Sequence, residues 1–177
     1  MPLLTPVTRK FVLHWGEMGT RWGINRTVAQ VHALLFVLPR PLHAEEITAA
    51  LSVSRSNVST SLRELQAWGI VKVVHVLGDR RDHFASMKDV WEMFQIILDE
   101  RKRREIDPTL DILRQCVAEA EAAGTAEVDT RKRLEEMLDF VETITNWYGQ
   151  LRRLPPTAMV KLLKAGGSAK KLLAIAR

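Results

Sequence analysis

Residues 41 to 87 carry, in order, a short helical pattern, a tight turn, a second helix with one polar face, and an apolar hairpin with arginines at its tip. That order constrains the fold more than any other feature of the chain. The first pattern, His43 to Leu51, puts Glu45 and Glu46 in its first turn, where the exposed amides of a helix favour negative charge. Ile47, Ala50 and Leu51 make its buried stripe. Ser52 and Val53 form the turn, and Ser54 is the expected N-cap of the next helix, because its hydroxyl can accept from free first-turn amides. Val53 and Val58 stand at the positions of a hydrophobic staple. Asn57 stands where Glu or Gln would close a capping box, so the box is incomplete.

From Ser54 to Trp68 the apolar residues Val58, Leu62 and Leu65 fall on one helical face. The opposite face is Arg55, Ser56, Ser59, Thr60 and Arg63, with no carboxylate among them. Gly69 stops the helix, Val71 to Val76 reads as a strand, residues 77–82 as a turn, and His83 to Ser86 as the returning strand. The pattern predicts a mainly α fold with a small β-hairpin, a winged helix-turn-helix with flanking helices. A helix with such a face suits the major groove of double-stranded DNA, where arginine pairs with guanine and hydroxyls reach base edges or phosphates. The expected contacts are Ser54, Arg55, Ser56, Asn57, Ser59, Thr60 and Arg63, with Arg80 and Arg81 of the hairpin suited to phosphates or a narrow minor groove. Asp79 and Asp82 compete for those two arginines, and the expectation is one arginine paired and the other left for DNA. The rival is a protein-interaction module built on the same fold. An acidic recognition face would favour the rival, and this face is basic and polar.

The residues from Glu45 to Phe84 resemble the MarR superfamily of regulators, and within it the GbsR-like subgroup. The resemblance is carried by Ser54-Arg55-Ser56-Asn57-Val58-Ser59, the Trp68-Gly69 pair and the wing Gly78-Asp79-Arg80-Arg81. It is specific over residues 25–90, a matter of layout over 1–24 and 88–150, and lapses beyond. It implies a bacterial homodimer that binds a pseudo-palindrome, usually as a repressor. For the subgroup it implies osmotic-stress control and a ligand such as choline or glycine betaine. Five tryptophans against one tyrosine would supply an aromatic cage for a quaternary ammonium group, with Trp22, Trp91, Trp147 and Tyr148 as its candidates. The competing reading is that these rings, on helical apolar stripes, fill the core.

A length of 177 residues fits a single domain, read as a winged lobe over 25–90 and a helical dimerisation lobe from 1–24 and 88–177. Phe11 and Trp15 lie on the stripe of the first helix. Leu134, Met137, Val141, Ile144, Tyr148 and Leu151 alternate by three and four along the last, a seam that calls for another helix. A homodimer covers both stripes, and a monomer whose helices fold back on the wing is the alternative. Asp107-Pro108 is expected to cap and start a new helix. After Pro155-Pro156 the chain offers basic amphipathic pieces, read as an arm across the partner rather than a membrane-surface segment.

Net charge +5 is too mild to argue for nucleic acid by itself. One cysteine, Cys116, excludes an intrachain disulfide and makes a reducing, cytoplasmic setting the expectation, with an inert thiol preferred over an oxidant sensor. No leader or membrane-length apolar run is read in the sequence. The five histidines have no metal-ligand spacing, and no phosphate loop or nucleophile elbow is present. Neither an enzyme nor a cofactor is expected.

Overall fold

The computed structural model describes residues 4–155, 157, 158 and 161. Its elements are α1 (Pro6–Arg21), α2 (Arg26–Val37), β1 (Leu42–His43), α3 (Ala44–Leu51), α4 (Arg55–Ala67), β2 (Val71–Val76), β3 (Asp79–Ser86), α5 (Val90–Arg101), α6 (Asp107–Ala122) and α7 (Val128–Arg152). The three strands form one antiparallel sheet in the order β1-β3-β2. This is the predominantly helical winged helix-turn-helix that the sequence predicts. The chain divides into two compact units between Ile97 and Leu98.

The first unit is organised around α2. Every residue from Val28 to Leu35 is buried, so the helix is enclosed on all sides. Val31, Leu34 and Leu35 meet Ile47 of α3 and Val58 and Leu65 of α4 in one core cluster. Asn25 caps the start of α2, its side chain accepting from the Thr27 amide at 2.8 Å. The end of the helix is closed by a residue the sequence reading passed over. Lys88 donates through Nζ to the carbonyls of Leu35, Phe36 and Leu38 at 3.1, 2.7 and 3.1 Å, a cation placed against the negative end of the helix dipole.

α1 packs directly on α2 because two glycines allow it. A Cβ on Gly19 would stand 2.5 Å from the Ala29 Cβ, and one on Gly16 would stand 2.6 Å from Gln30 Cγ. Residues 4–24, grouped from sequence with the later helices, therefore fold with the winged part of the chain. Phe11 and Trp15 stack with their centroids 5.4 Å apart and lie half-buried against this core.

In the second unit, α6 packs against α7, and Arg114 donates to Glu142 across them at 2.7 Å. The start expected at Asp107-Pro108 is not a break. The backbone stays helical through Lys102–Ile106 in a wider turn of the π type, and Asp107 has helical dihedrals. Its carboxylate accepts from Lys102 at 2.5 Å instead of capping. Proline lacks an N–H and crowds the preceding turn, and a widened turn accommodates both defects without ending the helix. α7 runs 25 residues with none fully buried. Met137 and Ile144 are 54 % and 48 % exposed, whereas Leu134, Val141, Tyr148 and Leu151 are half-buried. The apolar stripe is thus partly covered by its own unit and partly open. No helix among the described residues is long and apolar enough to cross a membrane. The arm expected after Pro155 lies, except at 157, 158 and 161, outside the described residues.

Candidate nucleic-acid interface

Ser52 sets the angle between α3 and α4. Its φ of 54° and ψ of 41° make it the one described non-glycine residue with positive φ, a left-handed turn residue held by the helices on either side. Ser54 then caps α4 as expected, its hydroxyl accepting from the Asn57 amide at 3.2 Å. That hydroxyl also meets Ser56 Oγ at 3.0 Å. Its part in the site is to start the helix.

Beyond the cap the expected division of faces is present. Val58, Leu62 and Leu65 are buried, and Arg55, Ser56, Asn57, Ser59, Thr60 and Arg63 are exposed on the outer side. Arg63 donates to Thr60 Oγ1 at 3.3 Å, one turn back. Arg55, 78 % exposed, reaches Glu45 of α3 at 3.3 Å. An ion pair so open to water is worth little and gives way easily to a stronger anion. Glu45 also accepts a 2.8 Å contact from His43 Nδ1. That contact requires the proton to sit on Nδ1, which leaves the 3.4 Å approach of the Glu46 amide to the same nitrogen a contact rather than a bond. Glu46 completes the start of α3 from the other side, accepting the His43 amide at 3.1 Å.

The hairpin differs from the sequence reading in its turn. Val76 pairs with Asp79, so the turn is only Leu77-Gly78, with Gly78 at φ 85°, and Arg80 and Arg81 belong to β3. The next regular pair is Val74 with His83, a register shift that leaves Arg80, Arg81 and Asp82 in a bulged stretch of the strand. A six-residue turn was read because charged residues are poor strand formers, whereas a glycine with positive φ closes a hairpin in two.

The bulge separates the two arginines. Arg81 grips Asp79 from its side chain, with Nε to Oδ1 at 2.9 Å, and its amide donates to the same carboxylate at 3.0 Å. These bonds hold the Asp79 carboxyl far below its ordinary range. His83, almost wholly buried, adds Nε2 at 3.6 Å from Asp79 and stacks edge-on to His43 at 5.5 Å. Arg80 is exposed and has no ion pair among the described residues. One arginine is paired and the other available, as the sequence argued.

Of the four residues expected to form an aromatic cage, three line cavities, and these belong to two different units. Trp147 and Tyr148 face a cavity of about 460 Å³ in the second unit, with Phe140, Ile144 and Ile106. Tyr148 donates its hydroxyl to Asp99 at 2.7 Å, and Arg152 holds the other oxygen of that carboxylate at 2.8 Å. Burial first, and then the Asp99 bond, raise the Tyr148 pKa. Trp22 lines a smaller cavity in the first unit beside Trp15 and Trp68. Trp91 lines neither.

Sequence reading also passed over His32. It is 4 % exposed, and its Nε2 has no hydrogen-bond partner among the described residues. Leaving a buried polar atom unmatched costs about 1–3 kcal/mol. Burial, and then the charge of Lys88, lower its pKa to about 4. Nothing in the local sequence marked it, since Val31-His32-Ala33 reads as one more turn of a core helix.

Residues 22–82 match the model of the MarR family. Over 136 residues the chain is 22% identical to the HTH-type transcriptional repressor GbsR of Bacillus subtilis (strain 168), a stretch covering 75% of each protein. A solved crystal structure of a transcriptional regulator is similar over 83% of this chain and 96% of its own, at 26% identity and a TM-score of 0.62.

Proposed function

We propose that the chain is a transcriptional regulator of the MarR type, a homodimeric repressor that reads duplex DNA and responds to a small effector. The carboxylate-free outer face of α4 carries this reading, with six exposed donor-bearing side chains in a row above a buried apolar side. Such a helix fits a major groove, where Arg55 and Arg63 can pair with guanine and Ser59 and Thr60 can reach bases or phosphates. Ser54 holds the N-terminus of the helix toward the backbone, Ser56 and Asn57 flank it, and Arg80 with Arg81 follows the adjoining minor groove. The stripe of α7 through Leu134, Met137, Val141, Ile144, Tyr148 and Leu151, open at Met137 and Ile144, supports a second copy, with Phe11 and Trp15 the weaker contributors because both already serve the first unit's core. Two recognition helices would then meet half-sites about 34–36 Å apart. The site is the cytoplasm, where such a protein meets its DNA.

Selection of genomic fragments with purified protein yields an operator on which the reading can be tested. Arg55→Ala and Arg63→Ala should each weaken binding to that operator by about 1–3 kcal/mol while binding to random duplex changes less. Affinities equal to wild type in both variants would remove α4 from the interface.

A further inference from the structure

His43 of β1 and His83 of β3 are directly paired across the sheet, with their rings edge-on and 5.5 Å apart. Each ring meets a carboxylate that also holds an arginine of the surface assigned to DNA. His43 donates through Nδ1 to Glu45 at 2.8 Å, and Glu45 meets Arg55 of α4 at 3.3 Å. His83 Nε2 lies 3.6 Å from Asp79, whose carboxylate is gripped by Arg81. The remaining contacts fix where the hydrogens sit. His83 Nδ1 stands 3.0 Å from the Arg81 carbonyl, which can only accept, so this nitrogen carries the hydrogen. In a neutral ring Nε2 is then a bare lone pair turned toward Asp79. His43 repeats the arrangement, with Nδ1–H engaged by Glu45 and a bare Nε2 3.5 Å from Glu46. A lone pair set against a carboxylate is unfavourable, and a proton placed between them turns the contact into an ion pair.

The charges around the two rings are matched. Glu45 and Glu46 come from α3 and Asp79 from β3, and they face Arg55, Arg40 and Arg81 in turn, Arg40 through a 2.6 Å bond to Glu46. β2 places Val74 opposite His83. Arg80 and Asp82 of β3, and Arg26 and His32 of α2, have no ion pair with these groups among the described residues. We propose that the His43–His83 pair is a proton-binding site that couples α4 to the wing, one proton taken up there loosening Arg55 and Arg81 from their carboxylates for DNA. A second proton is disfavoured, because two imidazolium rings 5.5 Å apart repel. Imidazole is the side chain whose charge changes near neutral pH. Phosphates that engage the two arginines leave the carboxylates to the histidines and so favour the proton, and by reciprocity operator affinity rises as pH falls. Both histidines are positioning residues and touch no base. The proton site rests on this geometry, and only its effect on DNA rests on the function proposed above.

Two readouts from pH 8 to pH 6, at constant ionic strength, test it. In ¹⁵N-labelled protein without DNA, the Arg81 Nε–H signal should move as Asp79 passes from the guanidinium to His83. By fluorescence anisotropy, wild-type affinity for the selected operator should rise about tenfold, a coupling of ordinary size between two sites. His83→Gln keeps a hydrogen-bonding side chain that cannot take up the proton, and Asp79→Asn, at a partly exposed position, removes the carboxylate without touching either ring. Both should flatten the two profiles, and His43→Gln should reduce the slope for the operator. His14→Gln, exposed on α1, should leave both profiles as in wild type. The proposal is overturned if the Arg81 signal stands still in wild type, if it moves alike in His83→Gln, or if operator affinity has the same pH slope in wild type and the three cluster variants. An Arg81 signal that responds to pH in a protein that binds no operator keeps the proton site and removes the repressor function. Operator binding without the pH response removes the proton site and leaves the reading of DNA intact.

Discussion

Arg80 and Arg81 are adjacent in sequence and opposite in circumstance, and a charge count cannot separate them. Arg80 has no ion-pair partner among the described residues to give up, so Arg80→Ala should weaken DNA binding across sequences and reduce the salt dependence by about one counterion. Arg81 also neutralises Asp79. Its removal leaves a bare carboxylate facing phosphates, and Asp79→Asn should recover part of the loss in Arg81→Ala. Fluorescence anisotropy over a salt series checks both, and an unchanged slope for Arg80→Ala would take the wing away from DNA. His32 gives a pH prediction of known sign. The unfolded chain takes up a proton near 6.5 and the folded chain only near 4, so between those values the unfolded state binds more protons. The stability this neutral ring represents is fully present above pH 6.5 and is lost as pH falls toward 4, on the order of 3 kcal/mol in all. Urea midpoints at pH 7 and pH 4.5 should converge in His32→Leu relative to wild type. Equal pH dependence in the two proteins would mean that the ring takes up its proton in the folded state.

Among elements, the α1–α2 contact is the one most sharply set by two residues. Gly19→Ala would gain about 1 kcal/mol of helix propensity, yet it drives a methyl into the Ala29 Cβ. Overpacking of that kind costs about 1–3 kcal/mol, so a net loss of up to about 2 kcal/mol is expected in the denaturation midpoint. A stabilised variant would show that α1 can move off α2. This contact also marks where sequence reading stopped. Helices were legible wherever an apolar stripe of period 3.6 met a capping residue, as at Ser54 before Val58, and so were the exposed polar face of α4 and, apart from its turn, the hairpin. Pairings between distant segments were not. Nothing in the local sequence singles out Gly16 and Gly19, and their use appears only beside Ala29 and Gln30. Lys88 is fifty residues or more from the carbonyls it closes. The continuity of helix through Asp107-Pro108 depends on a widened turn that no periodicity announces.

For the whole molecule, the exposed Met137 and Ile144 of α7 make assembly the property to test. Ile144→Asp puts a charge on the open stripe of α7, where burial between two copies would cost several kcal/mol and leave a lone chain nearly unaffected, because the site is 48 % exposed. Sedimentation should show a folded monomer, with operator binding lost alongside the dimer, since one recognition helix covers half a site. A folded dimer that still binds its operator would place the dimer contact elsewhere. The sheet order β1-β3-β2 has a consequence of another kind. β2 has a neighbour on one side only, so along its outer rim alternate amides and carbonyls are unsatisfied by the sheet. Val71, Val73, Val74 and Val76 make that rim adhesive toward any other extended chain, and at high concentration toward the same strand of another molecule. Its protection is Lys72, the shortness of six residues, and the register shift that twists the strand beyond Val74. The device that sets the two arginines apart thus also guards the open rim of the sheet.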